Sequence, residues 1–186
     1  MRRTCFLAVI TMVLAACTPG ANLPPLPAAS TQGPYRLGPE DQVRVTVFDD
    51  TRFGGTFRIT DAGTLSVPML GNLRARGLTT SELERTLSSE LRRRNLITNP
   101  GVAVEMAAYR PVFVLGMVER GGQYPYQPGM TVLSAVAIAG GFNYRAVQDY
   151  VSVTRTGPDG VAREYRAPRD AIVQPGDVIT VFERRL

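Results

Sequence analysis

Two stretches of this chain carry the same hydrophobic phrase. In "LGPEDQVRVTVF" (37–48) and in "VQPGDVITVF" (173–182), a Pro precedes an Asp by two residues, and β-branched residues then recur at every second position. A Pro-x-Asp turn followed by period-two alternation predicts a turn that launches a half-buried strand. Val43, Val45 and Val47 in the first copy, and Ile179 and Val181 in the second, then face a core. Asp41 and Asp177 are expected to hold nearby backbone N–H groups rather than to perform chemistry.

Between the two copies the period changes twice. "FRITDAGTLSVPML" (57–70) places two short apolar pieces around Asp61-Ala62-Gly63-Thr64, a hairpin signal with Gly at the positive-φ position. "GLTTSELERTLSSELRRRN" (77–95) then recurs at helical spacing: Thr79 is the cap, Glu82 its capping-box partner, and Leu83, Leu87 and Leu91 share one face. Asn95, Asn99, Pro100 and Gly101 end it, and "VAVEM" (102–106) reads as a returning strand. Further on, "VFVLGMV" (112–118) predicts a buried strand and "ERGGQYPYQPG" (119–129) a corner. In "MTVLSAVAIAGGF" (130–142), Thr131 caps a short helix ending at Gly140-Gly141, with Val132, Leu133, Val136 and Ala137 expected against a sheet. "YVSVTR" (150–155) and "VAREY" (161–165) flank Gly157-Pro158-Asp159-Gly160 as a hairpin, and the second copy of the phrase supplies the last strand. Two runs of strands with one helix each give an α+β chain of two small domains, 35–108 and 109–186, the second a mixed sheet gripping a helix in a β-grasp-like arrangement.

The N-terminal residues belong to neither domain. Arg2 and Arg3 precede an uncharged run from Phe6 to Ala16 that ends in "LAAC" (14–17), the layout of an export signal occupying residues 1–16. About eleven apolar residues rise about 16 Å as a helix, half of a bilayer core, so the run does not span. "LAAC" resembles the lipobox of bacterial lipoproteins, which implies acylation of Cys17, with palmitate-type chains, after cleavage before it. Acyl chains contribute about 0.8 kcal/mol per buried CH₂, so a multiply acylated Cys17 would be held firmly at a membrane surface. Thr18 after the Cys, where no Asp stands, is similar to outer-membrane lipoproteins. "TPGANLPPLPAASTQGP" (18–34) completes a Pro/Ala-rich tether over residues 17–34, extended at Pro24, Pro25 and Pro27.

Composition narrows the chemistry. The two cysteines are Cys5, inside the expected leader, and Cys17, leaving no thiol for a disulfide, a nucleophile or a metal cluster. The chain has no His, which removes Ser-His-Asp and Cys-His machinery and His-ligated zinc. No cofactor, metal site or catalytic residue is expected. Adjacent carboxylates, Asp49-Asp50 and Glu40-Asp41, would project to opposite faces at a strand end, against a glycosidase pair about 5 to 9 Å apart. All 21 basic residues are Arg. Either a GC-rich genome explains this, or guanidinium forks meet carboxylate or phosphate groups of an anionic ligand. Arg92, Arg93 and Arg94 oppose the helix macrodipole or bind a polyanion. A pI of about 9.7 would suit a nucleic acid, but an exported protein does not meet one.

The order of motifs resembles the polysaccharide export family, the Wza-type outer-membrane lipoproteins of capsule and exopolysaccharide systems. "YRLGPEDQVRVTVF", "ITDAGTLSVPMLGNL", "GLTTSELERTL" and "NPGVAVEM" look like successive blocks of that family's export domain. "VLGMVERGGQYPYQPGMTVLSAVAIAGGF" and "QPGDVITVF" look like its SLBB domain, a β-grasp module. The chain departs from the family at Arg120-Gly121-Gly122, where many members carry Arg/Lys-Pro-Gly. It also has only Glu183, Arg184, Arg185 and Leu186 after Phe182, where well-known members have a second SLBB domain and an amphipathic helix that crosses the outer membrane.

The resemblance implies a non-enzymatic lipoprotein at the periplasmic face of the outer membrane, self-associated in a ring around the path of a secreted polysaccharide. Its implied partners are an inner-membrane polysaccharide co-polymerase and a separate outer-membrane β-barrel. The alternative is a periplasmic carbohydrate-binding or scaffolding lipoprotein with no conduit role. For that reading Tyr109, Tyr124, Tyr126, Tyr144 and Tyr150 are candidate stacking surfaces for sugar rings, or else ordinary packing residues.

Overall fold

The computed structural model of the chain describes residues 18–28, 33–48 and 50–184. Among the described residues no helix is long and apolar enough to cross a membrane.

The first repeat of the phrase becomes β1 (Gln42–Val47), the centre of an antiparallel sheet in the order β2-β1-β5, with β2 (Gly55–Arg58) and β5 (Val102–Ala108) at its sides. Alternation buries Val43, Val45 and Val47 and leaves Arg44 and Thr46 outward. A turn of 3-10 helix (Thr51–Phe53), capped by Asp50, drives Phe53 into the same core.

Beyond β2, the expected Asp61–Thr64 turn forms, with Gly63 N–H donating to the Thr60 carbonyl at 2.8 Å, but it joins only a single bridge, Ile59 to Leu65. The longer pairing of β3 (Thr64–Val67) is with β4 (Gly71–Arg74), a strand the hydrophobic pattern does not announce. Only Leu73 of β4 is buried, and the reversal before it uses Met69 at φ 62, a residue with no turn signature. Helix α1 (Thr80–Arg93) forms as its sequence directs. Thr79 Oγ1 accepts from Glu82 N at 3.2 Å, Glu82 returns the bond to Thr79 N at 2.8 Å, and Leu83, Leu87 and Leu91 are buried. Each such leucine contributes about 1.5 to 3 kcal/mol of burial. Glu84, on a neighbouring face, accepts from Val104 N at 2.9 Å and ties α1 to β5.

The second core begins at Val112. Five strands run in the order β7-β6-β10-β8-β9: β6 (Val112–Gly116), β7 (Gly122–Tyr124), β8 (Tyr150–Thr156), β9 (Ala162–Pro168) and β10 (Val178–Val181). β10 pairs parallel to β6 and antiparallel to β8, so the sheet is mixed. Helix α2 (Val132–Ile138), with Thr131 and Ser134 as its capping box, shares the core with the three inner strands β6, β10 and β8. The fold is α+β, and the second domain is a β-grasp.

The buried stripe of α2 matches the sequence reading only in part: Val132 and Val136 are buried as expected, but Leu133 and Ala137 are exposed. Val132, Ala135, Val136 and the following Ala139 are buried, whereas Leu133 is 44% exposed and Ile138 40% exposed. "VLSAVAIA" is apolar nearly all round, so no polar residue fixes the rotation. The packing of small alanines close to the sheet fixes it instead.

The prolines of the N-terminal segment are extended, as expected, but engaged. Leu26 N donates to the Arg166 carbonyl at 2.9 Å, and Arg166 N donates to the Pro24 carbonyl at 2.8 Å, so residues 24–26 lie parallel along the outer edge of β9. Proline suits such an edge because Pro24 needs to supply only its carbonyl. Leu26 also packs on the second core.

Candidate functional site at the junction of the two domains

The repeated phrase builds the same turn twice. Gly38-Pro39-Glu40-Asp41 and Gln174-Pro175-Gly176-Asp177 each close with the Asp N–H donating back to the first carbonyl, at 3.3 and 3.0 Å. Pro stands at the second position and a positive φ at the third, 73° for Glu40 and 87° for Gly176, the signature of a type II turn. Each Asp side chain accepts from the backbone N–H three residues earlier, Gly38 at 2.8 Å and Gln174 at 2.7 Å. Both carboxylates therefore hold backbone N–H groups as expected, and both are buried.

Their remaining partners differ. Asp177 receives both Nε and a terminal nitrogen of Arg155, at 2.9 and 2.6 Å, an ion pair inside the second domain. Asp41 instead accepts from the backbone N–H of Arg110 at 2.9 Å and from the hydroxyl of Tyr35 at 2.7 Å. Burial first, then that hydrogen bond to Asp41, pushes the Tyr35 hydroxyl far above the ordinary tyrosine range.

Arg110 sits where the chain passes between the cores, and its side chain threads between the two turns. Its Nε donates to the Pro175 carbonyl at 2.9 Å. A Cβ on Gly38 would stand 1.9 Å from one of its terminal nitrogens, so a larger residue there would push the guanidinium aside. Beside it, Tyr35, Tyr109 and Tyr126 form an edge-to-face ladder with centroids 5.1 and 5.4 Å apart, running from the first domain through the connection to the second.

On the same junction opens a cleft of about 430 Å³. Glu40, Gln42 and Arg58 line it from the first domain, Tyr109 and Pro111 from the connection, and Gln123, Tyr124 and Pro125 from the second. Gln42 and Arg58 are register partners on β1 and β2. Arg58 and Glu40 approach to 3.8 Å, a loose exposed pair. Tyr124 is held by its hydroxyl, which donates to the Arg120 carbonyl at 2.5 Å.

Residues 29–107 match the family described as polysaccharide biosynthesis/export protein, and residues 111–164 match the SLBB domain. One match falls on each core. The chain belongs to the polysaccharide biosynthesis/export family. It is also similar to the exopolysaccharide production protein ExoF of Rhizobium meliloti (strain 1021), 35% identical over 148 residues, which cover 71% of this chain and 35% of that protein. The chain thus spans about a third of the length of the curated relative it matches.

Within this member of the export family the other candidate residues are dispersed. Cys17, the expected lipid attachment point, and Asp49 lie outside the described residues. Asp50 caps the 3-10 turn and pairs with Arg52, and the hydrogen bonds from Arg52 hold its carboxyl below the usual range. Of the arginine run, Arg93 and Arg94 pair with Glu90, and Arg94 also donates to the Met69 carbonyl at 3.2 Å. These bonds support the helix end.

Of the five tyrosines, Tyr109 and Tyr124 line the cleft, and Tyr126 backs it as the last rung of the ladder. Tyr150 is spent on packing, with Phe182 at 5.9 Å and the Arg166 guanidinium 3.7 Å above its ring. Tyr144 is 83% exposed and stands apart from the cleft lining. Sequence reasoning missed Arg110, Gln42, Arg58 and Gln123. A residue on the seam between two predicted domains was the available signal for Arg110; the others carry none. Among the described residues no cluster of three His, Cys, Asp or Glu side chains could hold a metal ion.

Proposed function

We propose that this protein acts in the export of an exopolysaccharide or capsular polysaccharide, as a lipid-anchored component at the periplasmic face of the outer membrane. The observation that carries the proposal is the succession of an export domain and an SLBB domain, one on each of two packed cores, in a chain similar to an exopolysaccharide production protein. The protein works without catalysis. Residues 1–16 serve as the export signal, Cys17 carries the lipid, residues 35–108 form the export domain and residues 109–186 the SLBB domain. Copies associate into a ring about the polymer's path, a closed assembly of the kind symmetry favours. An inner-membrane co-polymerase delivers the polymer and a separate β-barrel passes it outward.

A deletion strain assayed for polymer on both sides of the outer membrane tests the proposal. Deletion should stop secretion and accumulate polymer behind the outer membrane, and Cys17→Ser should restore only a small part of export. Normal secretion after deletion would overturn the export role. A purified delipidated protein that stays monomeric at high concentration, with no cross-links to either neighbour in cells, would overturn the ring.

A further inference from the structure

The junction cleft presents hydrogen-bonding groups that the protein itself does not use. The side chains of Gln42 and Gln123 make no hydrogen bond among the described residues, and Arg58 has only its loose approach to Glu40. Planar amides carry two donors and an acceptor each, and a guanidinium five donors, so this is a large unfilled capacity converging from two domains. Two tyrosine rings stand among these groups with their orientations already set. The ladder fixes Tyr109 from both sides, and the Arg120 carbonyl fixes Tyr124.

Glu40 adds a separate sign. It occupies a left-handed position that the sister turn fills with Gly176, so a side chain is kept there against backbone strain. The carboxylate that this retains lies in the cleft wall.

The lining discriminates among ligand classes. One arginine and one carboxylate give no phosphate track and no metal cage. A purely apolar ligand would strand the amides. A sugar ring fits both halves of the lining, because it has an apolar C–H face for an aromatic ring and a rim of hydroxyls for amides. An unfilled guanidinium fork matches a carboxylate.

We infer that the cleft is a binding subsite for a short run of pyranose sugars, with Arg58 taking the carboxylate of an acidic sugar, Gln42 and Gln123 the hydroxyl rim, and Tyr109 and Tyr124 the ring faces. Its volume, about 430 Å³, lies within the range of small-ligand sites. The inference rests on the polysaccharide reading and deepens it, because it names where the polymer is touched and which charge it carries.

The test is calorimetric titration of the protein, isolated from cells in mild detergent, with trigalacturonate and with neutral cellotriose. Trigalacturonate should bind more tightly than cellotriose. Tyr124→Ala should weaken both by about tenfold, the loss of one good contact. Arg58→Gln should weaken only the acidic probe and bring the two affinities together, while Tyr144→Ala, on the exposed tyrosine away from the cleft, should change neither. Circular dichroism would show that each variant folds.

The inference is overturned if neither probe binds, or if Tyr144→Ala weakens binding as much as Tyr124→Ala. It also fails if Arg58→Gln leaves the preference for the acidic probe intact. Its failure is separable from failure of the export role. Absent binding with export still blocked by deletion removes the cleft alone, whereas binding with normal export after deletion removes the export role alone.

Discussion

The two Pro-x-Asp turns share a backbone and differ in what they hold. Asp177 turns inward to Arg155 and stabilises the interior of one domain; Asp41 turns outward to Arg110 and Tyr35 and joins two domains. The local motif dictates the turn and the bond to the N–H three residues back. Position in the fold dictates the rest. A repeated phrase is therefore good evidence for a repeated turn and poor evidence for a repeated role.

The comparison is broken most severely at Asp177. Its Ala variant leaves the Arg155 guanidinium, 10% exposed, without its partner, and should cost about 3 to 5 kcal/mol in urea denaturation. Asp41→Ala should cost less, about 1 to 3 kcal/mol, because it removes hydrogen bonds rather than a buried ion pair. Its distinguishing result is a calorimetric trace that separates into two transitions as the domains lose their shared carboxylate. A single unchanged transition would deny Asp41 its joining role.

Glu40 sharpens the comparison in the opposite direction. Glu40→Gly makes the first turn like the second and should raise stability by about 1 kcal/mol, by relief of a left-handed non-glycine backbone. The same variant should weaken binding of neutral cellotriose, whose hydroxyls the Glu40 carboxylate in the cleft wall can accept from. A stability gain with binding untouched would leave the strain without a use.

The smallest effect is expected at Asp159, the exposed counterpart of the buried Asp177 pair. Hydrogen bonds from Arg163 lower its carboxyl from the ordinary 3.8 to about 2. A depressed folded value means that its contribution is present above the unfolded value and is lost as the pH falls from about 4 to about 2. Solvent screening keeps that contribution small. A carboxyl chemical-shift titration should move back toward 3.8 in Arg163→Gln.

How far the sequence foretold these features follows the range of the interactions. Helix α1 was legible to its cap because Thr79, Glu82 and the three leucines act within one or two turns. Both Pro-x-Asp turns were legible for the same reason. The phase of α2 was legible only in part, since an all-apolar helix takes its rotation from the sheet it meets. Strand β4 was hidden because Met69 takes the left-handed third position of a turn that Pro68 opens, where Gly or Asn is the usual signal. The cleft was least legible of all. Gln42 and Gln123 are 81 positions apart, and nothing local marks either as part of a site. Tyr109 and Tyr124 stood among five candidates that only the folded chain could sort.

The stitching of residues 24–26 along β9 has a mechanical consequence. A pull applied upstream of Thr18 loads the rim of the second lobe before the first lobe bears any of it. The two hydrogen bonds at Arg166, one on each side of Pro25, hold the segment against that rim. The segment thus behaves as a hem rather than a leash.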